Sequence, residues 1–549
     1  MADDAFAMLD WNAAETLPGF LARAPRLSQR ERATILDAAI ATLRGFYAHL
    51  PMKRVAHGID PVGRLAALRR TLADVTDDIA FHHAVSAVFA SLHDLHTIYV
   101  LPEFYAHATA TLPFELGVAH GKAGDEIIIT RLATGFAADP FQPGVVALSW
   151  NGIPIARAVA LLADRSGGAN PPAAQARAVA MLTARPMTRM PPPDETWVEI
   201  EYCAADGSVQ LLRCPWRMCP LHPEAAHPVP APHGSLDIEG DALRRSHARL
   251  FAPPPARKPA HPAAVAVASS LPALFAGWTG CHAGRPFGHL RIRSFKTFDA
   301  TGFLAELRRL LALLPPEGLI LDVRDNSGGL LAAAERALQY FSSHPIAPAL
   351  GQFVATPETL ALCRRQTPAH ADAHCDLSPW IASTLQGLAT GAAHSGAFPL
   401  TDPAACNDTG RVYPGPVVLL TSALCYSATD IFTGGFQDHA IGPIIGVDDN
   451  IGAGGANTWT YDLLRQLVPA AHLPALPHGA GFHVALRRTL RVGPNAGLAL
   501  EETGIHLEAG DRYSRTRHDL LHDDAGLIAH AAARLAYCCD PDAREPSVG

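Results

Sequence analysis

The sequence predicts an α/β protein: a parallel strand–helix core in its C-terminal half, preceded by a helical N-terminal region and an inserted β-rich module. Three observations carry that expectation. From Gly288 onward, strands alternate with amphipathic helices, the pattern of a parallel sheet with helices on its faces. Between Leu112 and about Met218 the periodicity is two, in short runs separated by turn residues. Before that, apolar residues recur at helical spacing.

Taken in order, residues 1–110 form the helical region, with helices expected over Arg30 to Leu50 and Phe81 to Leu92. The second helix gives way at Ser91-Leu-His-Asp-Leu-His96 to the β-branched run Thr97-Ile-Tyr-Val100, which puts His96 at a helix-to-strand junction. Residues 111–219 form the β-rich module. Its strands are Glu126 to Thr130, Gly144 to Trp150, Trp197 to Tyr202 and Val209 to Arg213, with hairpin turns at Asn151-Gly152 and Asp206-Gly207. One helical piece, Ala174 to Thr183, interrupts them. The run Phe141 to Ile155 resembles the Pro-Gly-Asp-x-Ile-x-x-x-Asn-Gly-x-x-Val core of PDZ domains, with the acidic residue replaced at Val145. That likeness implies capture of an extended peptide by strand addition.

Residues 220–285 include Ala252-Pro-Pro-Pro-Ala-Arg-Lys-Pro-Ala-His-Pro262 and read as a Pro/Ala-rich linker. The core, 286–549, opens with the strand Gly288 to Phe295 and the helix Ala300 to Leu314. The strand Gly318 to Arg324, the turn Asp325-Asn-Ser-Gly328-Gly329 and the helix Leu330 to Phe341 follow. Ligands sit beyond the carboxyl ends of such strands, and the Gly pair lets backbone N–H groups approach one closely. The strand Pro416 to Leu420 leads through Thr-Ser-Ala-Leu-Cys-Tyr to Ser427, which heads a helix through Ala428, Ile431 and Phe432. Ser427 suits two roles there. It is a favoured N-cap residue, and it is a hydroxyl held beside free N–H groups at the positive end of a helix, as attack on a carbonyl requires. Beyond it lie the strand Gly442 to Val447, the Gly-rich loop Gly452-Ala-Gly-Gly455, the strand Phe482 to Val492, the carboxylate pair Glu501-Glu502 and a last helix, Leu520 to Tyr537.

Composition narrows the functions open to the chain. Its 549 residues, 48% hydrophobic and 17% charged, are globular in type. The net charge of −8 argues against nucleic acid as a partner. No apolar run reaches the roughly 18–20 residues of a membrane span. Met1-Ala-Asp-Asp-Ala-Phe is acidic where a secretory signal is basic, and ten cysteines, including Cys538 and Cys539, form no Cys-x-x-Cys, so a cytoplasmic setting is expected. Two clusters, His370-Ala-Asp-Ala-His374-Cys375-Asp376 and His518-Asp-Leu-Leu-His522, hold ligand-type residues but lack zinc-protease spacing, and 27 histidines make such clusters common. No metal or other cofactor is expected. A Gly-x-Ser-x-Gly elbow is absent.

Four ordered stretches carry a resemblance. Gly318 to Gly329 matches Gly-Leu-Ile-Leu-Asp-Leu-Arg-x-Asn-x-Gly-Gly. Ser427-Ala-Thr-Asp-Ile matches Ser-Ala-Ser-Glu-Ile, followed here as there by Gln437-Asp438 and a Gly-rich loop. Asp94 to Tyr99 matches Asp-x-His-Thr-x-Tyr. The chain thereby resembles the tail-specific, or C-terminal-processing, family of serine peptidases. The resemblance implies a Clp-protease/crotonase-like core with an inserted PDZ-like module, and proteolysis of protein or peptide substrates.

One departure selects a branch of that family. Where the Ser-Lys branch has a lysine in the Gly-rich loop, this chain has Ala453, and no lysine follows Lys296. A serine still needs a base. His96 and Ser427 fall on the motif of the His-Ser-Glu branch, which includes tricorn protease and the chlamydial protease-like activity factor. Glu501 corresponds to its acid, with Glu502 the close alternative. The resemblance then implies Ser427 as nucleophile, His96 as base, Glu501 as orienting acid, and an oxyanion hole from backbone N–H groups of Gly328 or Gly329 and Ala428. The alternative is a non-catalytic ligand- or peptide-binding protein on the same fold. Substrate sequence and oligomeric state are not encoded in these motifs.

Overall fold

The computed structural model describes residues 8–75, 77–121, 124–221, 234–251, 265–370, 375–452, 454–469, 472–508 and 510–539. A six-stranded sheet organises the C-terminal half, in the order Val265–Val267, Phe275–His282, Arg285–Ile292, Leu319–Asp322, Val417–Thr421, Ile444–Gly446. The first three strands are antiparallel, and the last four run parallel, with Leu319 beside both Gly288 and Val417.

Strict alternation divides the two central strands between two cores. Leu319, Leu321, Val417 and Leu419 face Phe303, Leu307, Ala334 and Phe432 of the helices Ala300–Leu313, Leu331–Leu338 and Ala428–Asp438. Ile320, Val418 and Leu420 face Leu527, Ile528 and Ala531 of the helix Ala525–Cys539. Burial on both faces explains why these strands read as unbroken apolar runs. Their carboxyl ends emerge together, and that end carries the Asp325–Gly329 turn and Ser427.

The N-terminal helices Gln29–Phe46, Leu50–His57 and Asp78–Ala90 join the rest through a second sheet. Ile98–Val100 pairs antiparallel with the long strand Gly481–Leu490, which also pairs with Leu350–Phe353 and Ala456–Thr460. Phe89, Tyr99, Trp459 and Phe482 share one buried cluster there. Residues from both ends of the sequence thus build one wall, and that wall brings the Asp94–His96 loop to the core.

The β-rich module is a sheet of Phe114–Gly121, Gly124–Leu132, Val146–Trp150, Trp197–Cys203 and Val209–Pro215. It holds two helices, Pro171–Thr183 as expected and Ile155–Ser166, which the sequence reading did not include. The latter buries Ile155, Ala158, Val159 and Leu162 on one stripe directly after the Asn151-Gly152 turn. Within 220–285, Ile238–Leu250 is a helix capped by Asp237, and Val265–Val267 and Phe275–His282 belong to the core sheet, so ordered elements occupy much of that Pro/Ala-rich stretch. Residues 222–233 and 252–264 lie outside the described residues. No described helix is long and apolar enough to cross a membrane.

Candidate active site

Ser427 sits where the buried strand Val417–Thr421 has turned into the helix Ala428–Asp438. Its backbone, at φ 67° and ψ −122°, lies in a region sparsely used by residues other than glycine. A capping serine has extended backbone angles that aim its oxygen at the first-turn N–H groups. Ser427 makes no such bond, and its Oγ is fully buried with no hydrogen-bond partner among the described residues. The turn therefore holds a hydroxyl that the helix does not use.

The neighbouring turn is stitched to this one. Asn326 O accepts from Tyr426 N at 3.0 Å, Asn326 Nδ2 donates to Ile292 O at 3.1 Å, and Asn326 Oδ1 accepts the Gly328 N–H at 2.9 Å. Gly328 and Gly329 have φ of 99° and 143°, and a Cβ on Gly329 would lie 2.1 Å from the Phe295 carbonyl carbon. Only glycine fits there. The Gly328 N–H expected at an oxyanion hole is bonded to Asn326. Gly234–Leu236 of the same chain pairs antiparallel with Gly328–Leu330, with Ser235 opposite Gly329. Beyond that strand, Asp237 and Glu239 are both bonded by Arg177, and Glu239 also by Arg189.

His96 enters from the N-terminal region. Asp94 Oδ1 accepts the His96 N–H at 2.7 Å, which sets the turn, and the buried imidazole stacks on Tyr426 with centroids 5.1 Å apart. Among the described residues neither ring nitrogen has a hydrogen-bond partner, and Nδ1 lies 4.0 Å from Asp94 Oδ1. Glu501, on the short helix Leu500–Thr503, is fully buried, and donor atoms of Asp94, His96 and Glu501 all lie within 4.8 Å of one another. Glu501 Oε1 accepts from Lys53 Nζ at 2.9 Å. Burial pushes the His96 imidazole down to about 4, partly opposed by Asp94 and Asp237, so the ring is neutral at neutral pH.

Asp94, His96 and Glu501 have the donor chemistry of a small metal site, yet the Lys53 ammonium already supplies the positive charge at Glu501. The structure therefore brings His96 and Glu501 together and sets His96 against Tyr426, the residue before Ser427, while no hydrogen bond among the described residues joins the Ser427 hydroxyl to the imidazole. Of Glu502 only the backbone is described, and Ala453 lies outside the described residues.

Residues 286–468 match peptidase family S41, and residues 108–225 match a PDZ domain. The chain carries a serine peptidase domain of family S41. Solved structures similar to the whole chain include mature CPAF, at 15% identity over 94% of this chain and 99% of that one, with a TM-score of 0.67. A mutant of CPAF gives 15% identity, 95% and 99% coverage and a TM-score of 0.69. At this identity the likeness is one of fold. No curated protein matches the sequence.

Several features of the S41 domain's site went unread in the sequence. Lys53 belongs to the N-terminal region and carries no family motif. A signal existed, because His49, Lys53 and His57 recur every four residues and so share one helix face. Tyr426 was visible only as part of the turn. Of the two ligand-type clusters, His518 and His522 stack on each other at 4.1 Å on the surface, and His374 lies outside the described residues.

Proposed function

We propose that the S41 domain is an endopeptidase working through an acyl-enzyme, with Ser427 as nucleophile, His96 as general base and Glu501 as the acid that orients and charge-balances the imidazole. Ser427 Oγ attacks the scissile carbonyl carbon while His96 takes its proton. The C–N bond then breaks, and His96 returns the proton to the departing amine. Water, deprotonated by the same imidazole, hydrolyses the ester. The N–H of Ala428, at the head of its helix, together with the Gly329 backbone is assigned to the oxyanion, each donor worth roughly 3 kcal/mol.

The single observation that carries this proposal is the meeting of Asp94, His96 and Glu501 within 4.8 Å, from opposite ends of the sequence, against the Tyr426 ring that precedes an uncapped, strained serine. The pairing of Gly234–Leu236 with Gly328–Leu330 supports an extended polypeptide as substrate, since it demonstrates that this segment accepts an antiparallel strand. The PDZ domain fits capture of an extended peptide segment as well.

A fluorescent phosphonate that esterifies active-site serines tests the assignment. Wild type should be labelled and should cleave denatured casein, whereas Ser427→Ala and His96→Ala should do neither. Equal labelling of wild type and Ser427→Ala would remove Ser427 as nucleophile.

A further inference from the structure

We propose that Lys53 is a positioning residue for this site, its ammonium fixing the Glu501 carboxylate and offsetting the negative charge around His96. This role presupposes the Ser427–His96–Glu501 site proposed above.

Lys53 is 2% exposed, and a lysine is that deeply buried only where it meets charge and hydrogen-bond acceptors. It meets both. Nζ donates to Glu501 Oε1 and to His93 O, each at 2.9 Å. His93, at φ 49°, begins the turn that carries Asp94 and His96. One ammonium therefore ties the helix bearing the acid to the loop bearing the base, Lys53 itself standing 448 positions from Glu501 in sequence. The Leu50–His57 helix is built for this, with His49 at its N-cap and Lys53 one turn later both buried, and His57 stacked on His93 at 4.2 Å.

Charge gives the second reason. Two buried carboxylates, Asp94 and Glu501, stand beside one imidazole, and like charges this close tend to share a proton. With the Lys53 ammonium present, two carboxylates and a neutral imidazole sum to −1, and the sum reaches zero when His96 takes the Ser427 proton. Asp94 is accordingly held below the usual carboxylate range: burial pushes it up, but His49, Lys53 and His96 more than offset that. Lys53 is not the base itself, because its N–H bonds point at Glu501 and at a carbonyl.

The test is steady-state casein-peptide hydrolysis by Lys53→Met, Lys53→Arg, Glu501→Gln and the double variant Lys53→Met/Glu501→Gln, with Ser427→Ala in the same assay and melting temperatures for all. Expected is a fall in kcat of about 100-fold for Lys53→Met with KM within about threefold, and at least about a tenth of wild-type kcat retained by Lys53→Arg. The double variant removes both charges and so keeps its fold where Lys53→Met alone does not. Its kcat should equal that of Glu501→Gln, because Lys53 acts through Glu501. Additive losses in the double variant, or wild-type kcat in folded Lys53→Met, would overturn the inference while an inactive Ser427→Ala left the triad standing. An active Ser427→Ala takes both down.

Discussion

His96 stacks on Tyr426, centroids 5.1 Å apart and planes 27° apart, and Tyr426 is the residue immediately before Ser427. The proposed base is thus set against the turn of the proposed nucleophile by a ring contact, with no hydrogen bond to either ring nitrogen among the described residues. The Tyr426 hydroxyl likewise has no hydrogen-bond partner among the described residues. Tyr426→Phe should therefore keep both stability and activity, whereas Tyr426→Ala should lose roughly 3–5 kcal/mol in denaturant unfolding and most of the phosphonate labelling. A Phe variant as impaired as Ala would show that the hydroxyl, and not the ring, matters.

Gly454 closes over the same pair. A Cβ there would lie 2.1 Å from Tyr426 Cε1 and 2.6 Å from His96 Cε1, too near for either ring to stay in place. Gly454→Ala is expected to cost about 1–3 kcal/mol and to slow labelling far more than its stability loss explains. Gly481→Ala, where the backbone is not left-handed and a Cβ meets only Val100 Cβ at 3.8 Å, serves as the comparison for backbone effects alone.

Acid should weaken the fold over a pH window that ends where it protonates His96. A general base works when neutral, and burial holds His96 down to about 4, so the acid limb of kcat/KM is expected near pH 4 and not near 6.5. Stability follows the same sign. His82, His96 and His483 are all lowered to about 4 by burial, so between pH 6.5 and 4 the unfolded chain binds protons that the folded one does not. Melting temperature should fall as pH drops through that window and flatten below it with respect to these groups. A flat melting temperature from pH 6.5 to 4 would contradict the burial of these rings.

Gly328–Leu330 has Phe295 on one side and Gly234–Leu236 on the other, so the proposed substrate strand would have to take the place of Gly234–Leu236. Proline in that short strand removes a ladder donor. Ser235→Pro is expected to raise the initial rate of labelling and of peptide cleavage severalfold at unchanged melting temperature, measured side by side with wild type.

Arg177 meets two buried carboxylates, and its guanidinium also lies 5.8 Å from the Tyr426 ring centre. Arg177→Met leaves Asp237 uncompensated and Glu239 with Arg189 alone, at an expected cost of about 3–5 kcal/mol by chemical denaturation. A variant as stable as wild type would mean that water reaches those carboxylates.

Much of the core was legible because its signals are local. Unbroken apolar runs marked Gly318 to Arg324 and Pro416 to Leu420 as buried strands of a parallel unit, where the structure has Leu319–Asp322 and Val417–Thr421, and the Gly328-Gly329 pair marked a tight turn. The module's second helix, Ile155–Ser166, was hidden because its start continues an apolar run that also suits a strand. Ordered elements within 220–285 were hidden for another reason: the Pro-rich composition describes the flanks of Ile238–Leu250 and not the helix itself.

By itself the sequence determined the α/β core, the strand-to-helix turn that ends in Ser427 and the junction that carries His96, since strand, turn and helix are written in spacing along the chain. Tertiary structure alone decided what lies next to what. Lys53 reaches Glu501, Asn326 takes the Gly328 N–H, and Gly234–Leu236 lines the site, because side chains and strand edges find partners through space, and periodicity in one segment carries no record of another segment hundreds of residues away.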